Sequence, residues 1–153
     1  MKNRAIFPGS FDPFTIGHYD IVQRGLTIFD EIIIAVGINQ TKKTLFTTDE
    51  RMAIIQEAFA HHSRVKVMSY SCLTVDFAKE MGAQSILRGL RTATDFEYER
   101  AIADANKQLS GIETVMLLTD AKYAFVSSTL VRDLHTFGKD ISAFLPPKQQ
   151  KEL

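Results

Sequence analysis

The 153-residue sequence has few of the features that mark exported, membrane-spanning or nucleic-acid-coating proteins. A single cysteine, Cys72, excludes an intrachain disulfide and is typical of proteins from a reducing compartment. No apolar run approaches the roughly 18 residues that a membrane span requires. The 18 basic and 18 acidic residues balance to a formal net charge of zero, which disfavours nonspecific nucleic-acid binding. We therefore expect a cytoplasmic protein that has neither a nucleic acid nor a membrane as its partner.

The sequence also lacks the signatures of several common kinds of active site. It has neither a G-x-x-x-x-G-K-[ST] phosphate loop nor a G-x-G-x-x-G dinucleotide turn. No Ser-His-Asp or Cys-His arrangement is visible, and no Cys, His or Asp cluster has metal spacing, so we expect no metal ligands from the chain. The hydrophobic content of 45% and the charged content of 24% fit a globular protein. We expect residues 1–153 to form a single domain.

What the sequence does contain is an alternation of strand-like and helix-like segments, repeated five times. The predicted strands are Arg4–Phe7, Glu31–Ile38, Val65–Tyr70, Ser85–Arg88 and Glu113–Leu118. The predicted helices are Gly17–Phe29, Thr47 to about Ala60 with a Thr47–Glu50 capping box, Leu73–Met81, Thr94 to about Leu109 with a Thr94–Glu97 capping box, and Ser127 or Ser128 to about Phe137. This order predicts an α/β fold with a doubly wound, five-stranded parallel sheet of the Rossmann-like kind.

The segment Gly9–His18 forms the turn between the first predicted strand and the first predicted helix. We expect Gly9 to let the backbone approach a ligand closely, because glycine has no Cβ atom. Thr15 is the expected N-cap, which places His18 in the first helical turn. That turn offers free N–H groups and the positive end of the helix dipole, so His18 adds a donor to a site that suits phosphate.

Polar groups, many of them cations or hydrogen-bond donors, follow all five predicted strands, at ends that meet along one edge of a parallel sheet. They are Gly9, Ser10 and His18 after the first strand, Asn39, Gln40, Lys42 and Lys43 after the second, Ser71, Cys72 and Thr74 after the third, Arg88, Gly89 and Arg91 after the fourth, and Thr119, Asp120, Lys122, Tyr123, Ser127, Ser128 and Thr129 after the fifth. Such a set suits a polyphosphate, and the lack of an obvious nucleophile favours direct in-line transfer between two bound phosphates. We expect His18 to donate to oxygens of the reacting phosphate, with Mg²⁺ carried on the bound phosphates.

Three motifs resemble those of known protein families. Gly9–His18 (G-S-F-D-P-F-T-I-G-H) resembles the T/H-x-G-H signature of the nucleotidyltransferase superfamily. Arg88–Glu99 (R-G-L-R-T-A-T-D-F-E-Y-E) is similar to the R-G-L-R-x-x-x-D-F-E-Y-E segment of the bacterial pantetheine-phosphate adenylyltransferases. Val126–Arg132 (V-S-S-T-L-V-R) is similar to the I-S-S-T/S-x-V/I-R motif, which caps a helix over the nucleotide phosphates. The resemblance extends from residue 1 to about residue 147.

The resemblance implies an enzyme that joins the adenylyl group of ATP to 4′-phosphopantetheine, giving dephospho-coenzyme A and pyrophosphate in the penultimate step of coenzyme A synthesis. It implies that His18 stabilises the transition state. The residues implied to contact phosphopantetheine are Ser10, Lys42, Thr74 and Arg88. The residues implied to contact ATP are Ser10, Phe11, His18, Gly89, Leu90, Arg91, Glu99, Tyr123, Ala124, Phe125, Val126, Ser127, Ser128 and Thr129. The resemblance further implies Mg²⁺, a homohexamer, a cytoplasmic location and coenzyme A as a feedback ligand.

Three other functions are compatible with parts of the sequence. A nicotinamide-mononucleotide adenylyltransferase would share the His18 motif, although the Arg88–Glu99 segment and the short length disfavour it. A nonenzymatic nucleotide sensor would bind ATP without releasing pyrophosphate. A fragment of a tRNA-linked synthetase is disfavoured by the neutral charge. Some residues also have a purely structural interpretation: the alternative for Glu99 is that it simply faces solvent, as most helix glutamates do.

Overall fold

The computed structural model describes residues 2–148, which form one five-stranded parallel sheet with helices on both faces. The strands are β1 (Arg4–Gly9), β2 (Glu31–Gly37), β3 (Val65–Tyr70), β4 (Ser85–Leu90) and β5 (Glu113–Leu118). Their order across the sheet is β3-β2-β1-β4-β5. The chain therefore winds outwards from β1 to one edge and then returns to β4 to wind to the other. The predicted doubly wound, Rossmann-like α/β fold is confirmed.

Five α-helices connect or follow these strands. They are α1 (Ile16–Gly25), α2 (Thr48–Ala58), α3 (Thr74–Glu80), α4 (Ala93–Ser110) and α5 (Ser128–Thr136), with short 3₁₀ turns at Ala121–Tyr123 and Ser142–Phe144. Helix α1 ends earlier than the predicted Phe29, because i→i−3 bonds such as Ile28 N–H to Gly25 carbonyl tighten the chain there. Phe29 is nevertheless buried, and this explains why its apolar spacing resembled a longer helix. No helix within residues 2–148 has the length and apolar character needed to cross a membrane.

The observed N-cap residues test where the helices were predicted to begin. The Thr47–Glu50 capping box at α2 is confirmed. The predicted Thr94–Glu97 box is wrong, because Thr92 caps α4 and its hydroxyl accepts the Asp95 N–H at 3.1 Å. Thr92 has the same threonine-to-acid spacing as Thr94 and lies closer to the end of β4 at Leu90, so the helix begins two residues earlier, at Ala93. At α5, Ser127 rather than Ser128 is the N-cap.

The core explains why the two central strands are almost wholly apolar. Alternate residues of β1 and β2 point to opposite faces, as the period of a strand requires. On one face, Phe7 and Ile34 pack in a cluster with residues of α1 and α2. On the other face, Ile6 and Ile33 pack against residues of α3. The sheet is therefore buried on both sides, and its polar groups collect at the strand ends.

Candidate active site

A cavity of about 300 Å³ opens at the carboxyl ends of β1 and β4, where the strand order reverses. The loops after β1, β2, β4 and β5 all contribute to its wall. The predicted site residues that line it are Ser10, Phe11, His18, Lys42, Arg88, Gly89, Arg91, Val126, Ser128 and Thr129. The expectation that cationic and hydroxyl-bearing side chains from different loops meet at one edge of the sheet is confirmed.

A second cavity, of about 310 Å³, lies on the other side of Arg88. Thr74 and Glu99 line this second cavity and not the first. Its wall is more apolar than that of the first cavity, with Leu73 and Ile102 among its residues. Arg88 lines both cavities, so it stands at the boundary between a cationic compartment and a more apolar one.

Some predicted ATP residues lie outside the first cavity. They are Leu90, Glu99, Tyr123, Ala124, Phe125 and Ser127. Leu90 is buried at the end of β4, and Phe125 is exposed and packs edge-on against Phe144. The Ser127 hydroxyl accepts the Leu130 N–H at 3.0 Å as the cap of α5. The contacts of these residues with ATP stay predictions.

His18 is held by the start of its own helix. Its Nδ1 accepts the Thr15 backbone N–H at 3.0 Å, and its own N–H donates to Thr15 Oγ1 at 3.3 Å. The expected N-cap at Thr15 is thus confirmed, and His18 completes a capping box. Because a backbone amide can only donate, Nδ1 carries no proton, and the proton of the neutral ring is on Nε2.

The surroundings of His18 keep its ring neutral. The rings of Phe11 and Phe14 lie 5.1 and 5.3 Å from it between centroids. Burial, followed by the charges of Arg88 and Arg91, lowers the pKa of His18 to about 3. At neutral pH the side chain is therefore an uncharged donor through Nε2–H, rather than an imidazolium.

The absence of a side chain at Gly9 makes room for an aromatic ring that packs against His18. A Cβ atom at Gly9 would lie 2.9 Å from the Phe11 ring, so the space without a side chain is taken by that ring. Phe11 itself has a positive φ of 49°, which a non-glycine residue adopts only where its surroundings hold it. Gly9 nevertheless lines the first cavity, so the expectation that its backbone lies close to a ligand stays a prediction.

Three nitrogens of the Arg88 guanidinium donate hydrogen bonds to two protein partners. Its Nε donates to Glu99 Oε2 at 2.9 Å and its Nη2 to Glu99 Oε1 at 2.6 Å, while Nη1 donates to the Pro8 carbonyl. Glu99 is 7% exposed, so the alternative that it simply faces solvent is wrong. A helix glutamate can be buried here because the fork of Arg88 meets both of its oxygens.

The remaining cations of the cavity are held less firmly. Lys42 Nζ lies 3.2 Å from Ser10 Oγ, and Arg91 pairs with Asp95 at 3.6 Å.

Arg132, which was not among the predicted site residues, also lines the cavity. Its Nη1 donates to a backbone carbonyl of the β1–α1 loop at 2.9 Å. Its position at the end of the Val126–Arg132 motif is the sequence signal that could have identified it.

The cavity provides cations, hydroxyl groups, a helix N-terminus and a neutral imidazole donor, which together suit the phosphates of a nucleotide. Within residues 2–148, no group of three or more His, Cys, Asp or Glu side chains is arranged to hold a metal ion. The fold and this cavity are those of the class of α/β proteins that bind a phosphate-rich nucleotide at the switch point of the sheet.

Comparisons with known proteins place the chain more closely. A family model described as cytidylyltransferase-like matches residues 6–134. The phosphopantetheine adenylyltransferase of Phocaeicola vulgatus is 57% identical over 143 residues, which cover 94% of this chain and 95% of that protein. That of Bacteroides thetaiotaomicron is 56% identical over the same shares. The chain belongs to the phosphopantetheine adenylyltransferase family, within the cytidylyltransferase-like proteins.

Solved structures support the fold. A bifunctional NMN adenylyltransferase/ADP ribose pyrophosphatase from Francisella tularensis matches with a TM-score of 0.67 at 14% identity, over 97% of this chain and 46% of that one. A lipopolysaccharide core biosynthesis protein from Thermoplasma volcanium matches with a TM-score of 0.56 at 19% identity, over 78% of this chain and 98% of that one. At these identities the likeness concerns the arrangement of the sheet and helices alone.

Proposed function

We propose that this protein transfers the adenylyl group of ATP to 4′-phosphopantetheine, giving dephospho-coenzyme A and pyrophosphate. The observation that carries the proposal is the place of Arg88, between a cationic cavity with His18 and a second cavity that is more apolar. A phosphate at Arg88 would lie at the boundary, with a nucleotide on one side and an apolar arm on the other. The family of its relatives, named phosphopantetheine adenylyltransferases, supports the same substrates.

The reaction proceeds as a direct displacement. A phosphate oxygen of the acceptor attacks the α-phosphorus of ATP, the bond from that phosphorus to the bridging oxygen breaks, and pyrophosphate leaves. No general base is required, because the attacking phosphate is already ionised. His18 donates through Nε2–H to the α-phosphate oxygens, where negative charge grows in the transition state. Its neutral state at physiological pH suits this role, since no proton has to be moved.

The acceptor side is formed by Ser10, Lys42, Arg88 and Thr74. The first three all line the first cavity and would bind the acceptor phosphate. Thr74 is the first residue of α3, and its hydroxyl forms a 2.9 Å hydrogen bond with the Tyr70 hydroxyl in the second cavity. The apolar wall around it would pack along the pantetheine arm.

The nucleotide side is formed by the loop after β4 and the start of α5. Arg91, Ser128 and Thr129 lie there in the first cavity and would bind the phosphates of ATP. Mg²⁺ would arrive on those phosphates and neutralise part of their charge. Coenzyme A, which contains both an adenine nucleotide and a pantetheine arm, would span the two cavities and act as a feedback ligand.

We further propose that the protein is a cytoplasmic homohexamer. In support of self-association, α4 has eighteen residues of which only Glu99 is buried, and Tyr98 and Leu109 on it are exposed. Such an apolar surface is typical of a face that another subunit covers.

An assay of pyrophosphate release with ATP and alternative acceptors tests the proposed function. We expect release with 4′-phosphopantetheine, and we expect little with nicotinamide mononucleotide. Release with the latter acceptor would make the protein a different adenylyltransferase. Binding of ATP without release with either acceptor would favour a nucleotide sensor.

A further inference from the structure

The carboxylate of Asp12 joins two loops that reach the cavity from different strands. Asp12 follows β1 and is 3% exposed. Its Oδ2 accepts the backbone N–H of Leu45 at 2.9 Å, and its Oδ1 accepts that of Phe46 at 2.8 Å. A buried carboxylate is stable only where hydrogen bonds replace its lost water, so these two bonds fix the loops to each other.

Leu45 and Phe46 belong to residues 38–47, the connection between β2 and α2, which we call the Lys42 loop. Residues 39–43 of this loop are exposed, so side-chain burial does little to hold them in place. Within the loop, Asn39 Oδ1 accepts the N–H and the hydroxyl of Thr41, which shapes the turn without attaching it to the cavity. Beyond Lys42, the attachment is made at Leu45 and Phe46, by Asp12 and by packing of the Phe46 ring against residues near α5.

The segment that carries Asp12 is itself firmly held. The Asp12 carbonyl accepts a hydrogen bond from Arg132 Nη1 at 2.9 Å, and the Ser10 carbonyl accepts one from the buried Arg51 at 2.6 Å. The same segment continues into α1, where His18 lies. The hydrogen bonds of Asp12 therefore fix the position of the Lys42 loop relative to α1, the element that carries the imidazole of His18.

We propose that Asp12 is a positioning residue that sets the place of Lys42 relative to His18, and so aligns the acceptor phosphate with ATP. The proposal rests on the proposed function. Both carboxylate oxygens of Asp12 accept loop N–H groups, so it acts on the substrate through Lys42. In a reaction without a nucleophilic side chain, alignment supplies much of the rate, and a shift of about 1 Å can cost roughly a hundredfold.

A double-mutant cycle with Asp12→Asn and Lys42→Ala tests this coupling. Asparagine has the size of aspartate, but it presents an NH₂ group to one of the two loop N–H donors. We expect Asp12→Asn alone to lower kcat/KM for phosphopantetheine by about tenfold or more, with KM for ATP changed by less than about twofold. In the Lys42→Ala background, the same change should cost less than about threefold, because no lysine is left to misplace. An equal loss in both backgrounds would overturn the proposal.

A second pair of variants approaches the bond from the loop, in case Asp12→Asn does not fold. Leu45→Pro removes the N–H that Asp12 Oδ2 accepts, while Leu45→Ala keeps that N–H and shortens the same exposed side chain. We expect the selective loss towards phosphopantetheine in Leu45→Pro and near wild-type kinetics in Leu45→Ala. Equal kinetics of the two variants would contradict the role of this bond. Asp30→Asn is a matched control, because Asp30 accepts a backbone N–H far from the cavity.

Hydrogen exchange in the absence of substrate separates this proposal from the proposed function. In Asp12→Asn, we expect the amides of Leu45 and Phe46 to exchange at least about tenfold faster, while those of β1 and β2 keep their protection. If the wild type made no dephospho-coenzyme A, the proposed function would fail, and the exchange would still report on the loop. Unchanged exchange at both amides would show that Asp12 does not hold the loop.

Discussion

The two ends of the cavity are built differently. At the reaction end, where the acceptor phosphate would meet ATP, His18 and Arg88 are fixed by protein bonds: Nδ1 of the imidazole accepts from Thr15, and three nitrogens of Arg88 donate to Glu99 and Pro8. At the acceptor end, Lys42 is exposed, and its Nζ lies 3.2 Å from Ser10 Oγ. One end is therefore ordered before substrate arrives, whereas the other depends on a loop.

This difference fits the tasks of the two ends. Groups that stabilise growing charge work best when they are already oriented, because no reorganisation is then needed as the charge develops. A lysine on an exposed loop can instead follow an incoming phosphate, at the cost of ordering its side chain. Substitution of His18, which acts on the transition state, should consequently lower kcat, whereas loosening Arg88 or removing Lys42, which bind the acceptor phosphate, should lower the affinity for phosphopantetheine.

The largest effect is expected from removing the imidazole at the reaction end. His18→Ala should lower kcat by roughly two to three decades and leave KM for ATP nearly unchanged, because Nε2–H acts mainly in the transition state. Steady-state kinetics of pyrophosphate release measure both constants. His62→Gln, which changes a histidine in the connection between α2 and β3 and outside the cavity, is the control. A large rise in KM with kcat unchanged would assign His18 to ground-state binding instead.

A smaller effect is expected from loosening Arg88, which would make the reaction end resemble the acceptor end. Glu99→Gln keeps the size of the side chain but removes the charge that holds the guanidinium. We expect kcat/KM for phosphopantetheine to fall about tenfold, since Arg88 would lose its fixed orientation.

The control for this variant is Glu97→Gln, which alters an exposed glutamate on the same helix. Isothermal calorimetry with each substrate separates two roles for Glu99. A weaker affinity for phosphopantetheine supports its action through Arg88. A loss confined to ATP would instead support the ATP contact that the family resemblance implies.

Local patterns in the sequence were sufficient to predict the architecture and most of the residues at the rim of the cavity. Alternating apolar segments predicted all five strands, and parallel strands necessarily bring their carboxyl ends to one edge. This is why His18, Lys42, Arg88 and Ser128 could be expected together, although they lie far apart in the chain. The capping pattern likewise located the start of α1 at Thr15.

The bonds between side chains were not predictable in the same way. Asp12 meets Leu45 and Phe46 across more than thirty positions, and no periodicity records such a contact. Glu99 looks like any exposed helix glutamate until the orientation of α4 on β4 is known. Thr92 and Thr94 offer the same cap spacing, and the point at which β4 ends decides between them. These features depend on how elements pack, which a local pattern does not specify.

The smallest effect is expected in the pH dependence of the free energy of unfolding. This dependence measures how strongly the surroundings of His18 exclude water. The pKa of His18 is about 3 in the folded protein and about 6.5 when exposed, so between these values the unfolded chain binds the additional proton. Stability should therefore fall as the pH is lowered through this window, by about 1 kcal/mol between about pH 7 and pH 5.5. Urea unfolding of the wild type and of His18→Gln at both pH values measures it, and the variant should lose this part of the slope. An identical slope in both proteins would mean that the imidazole is accessible to protons, and that the reaction end is no drier than the Lys42 loop.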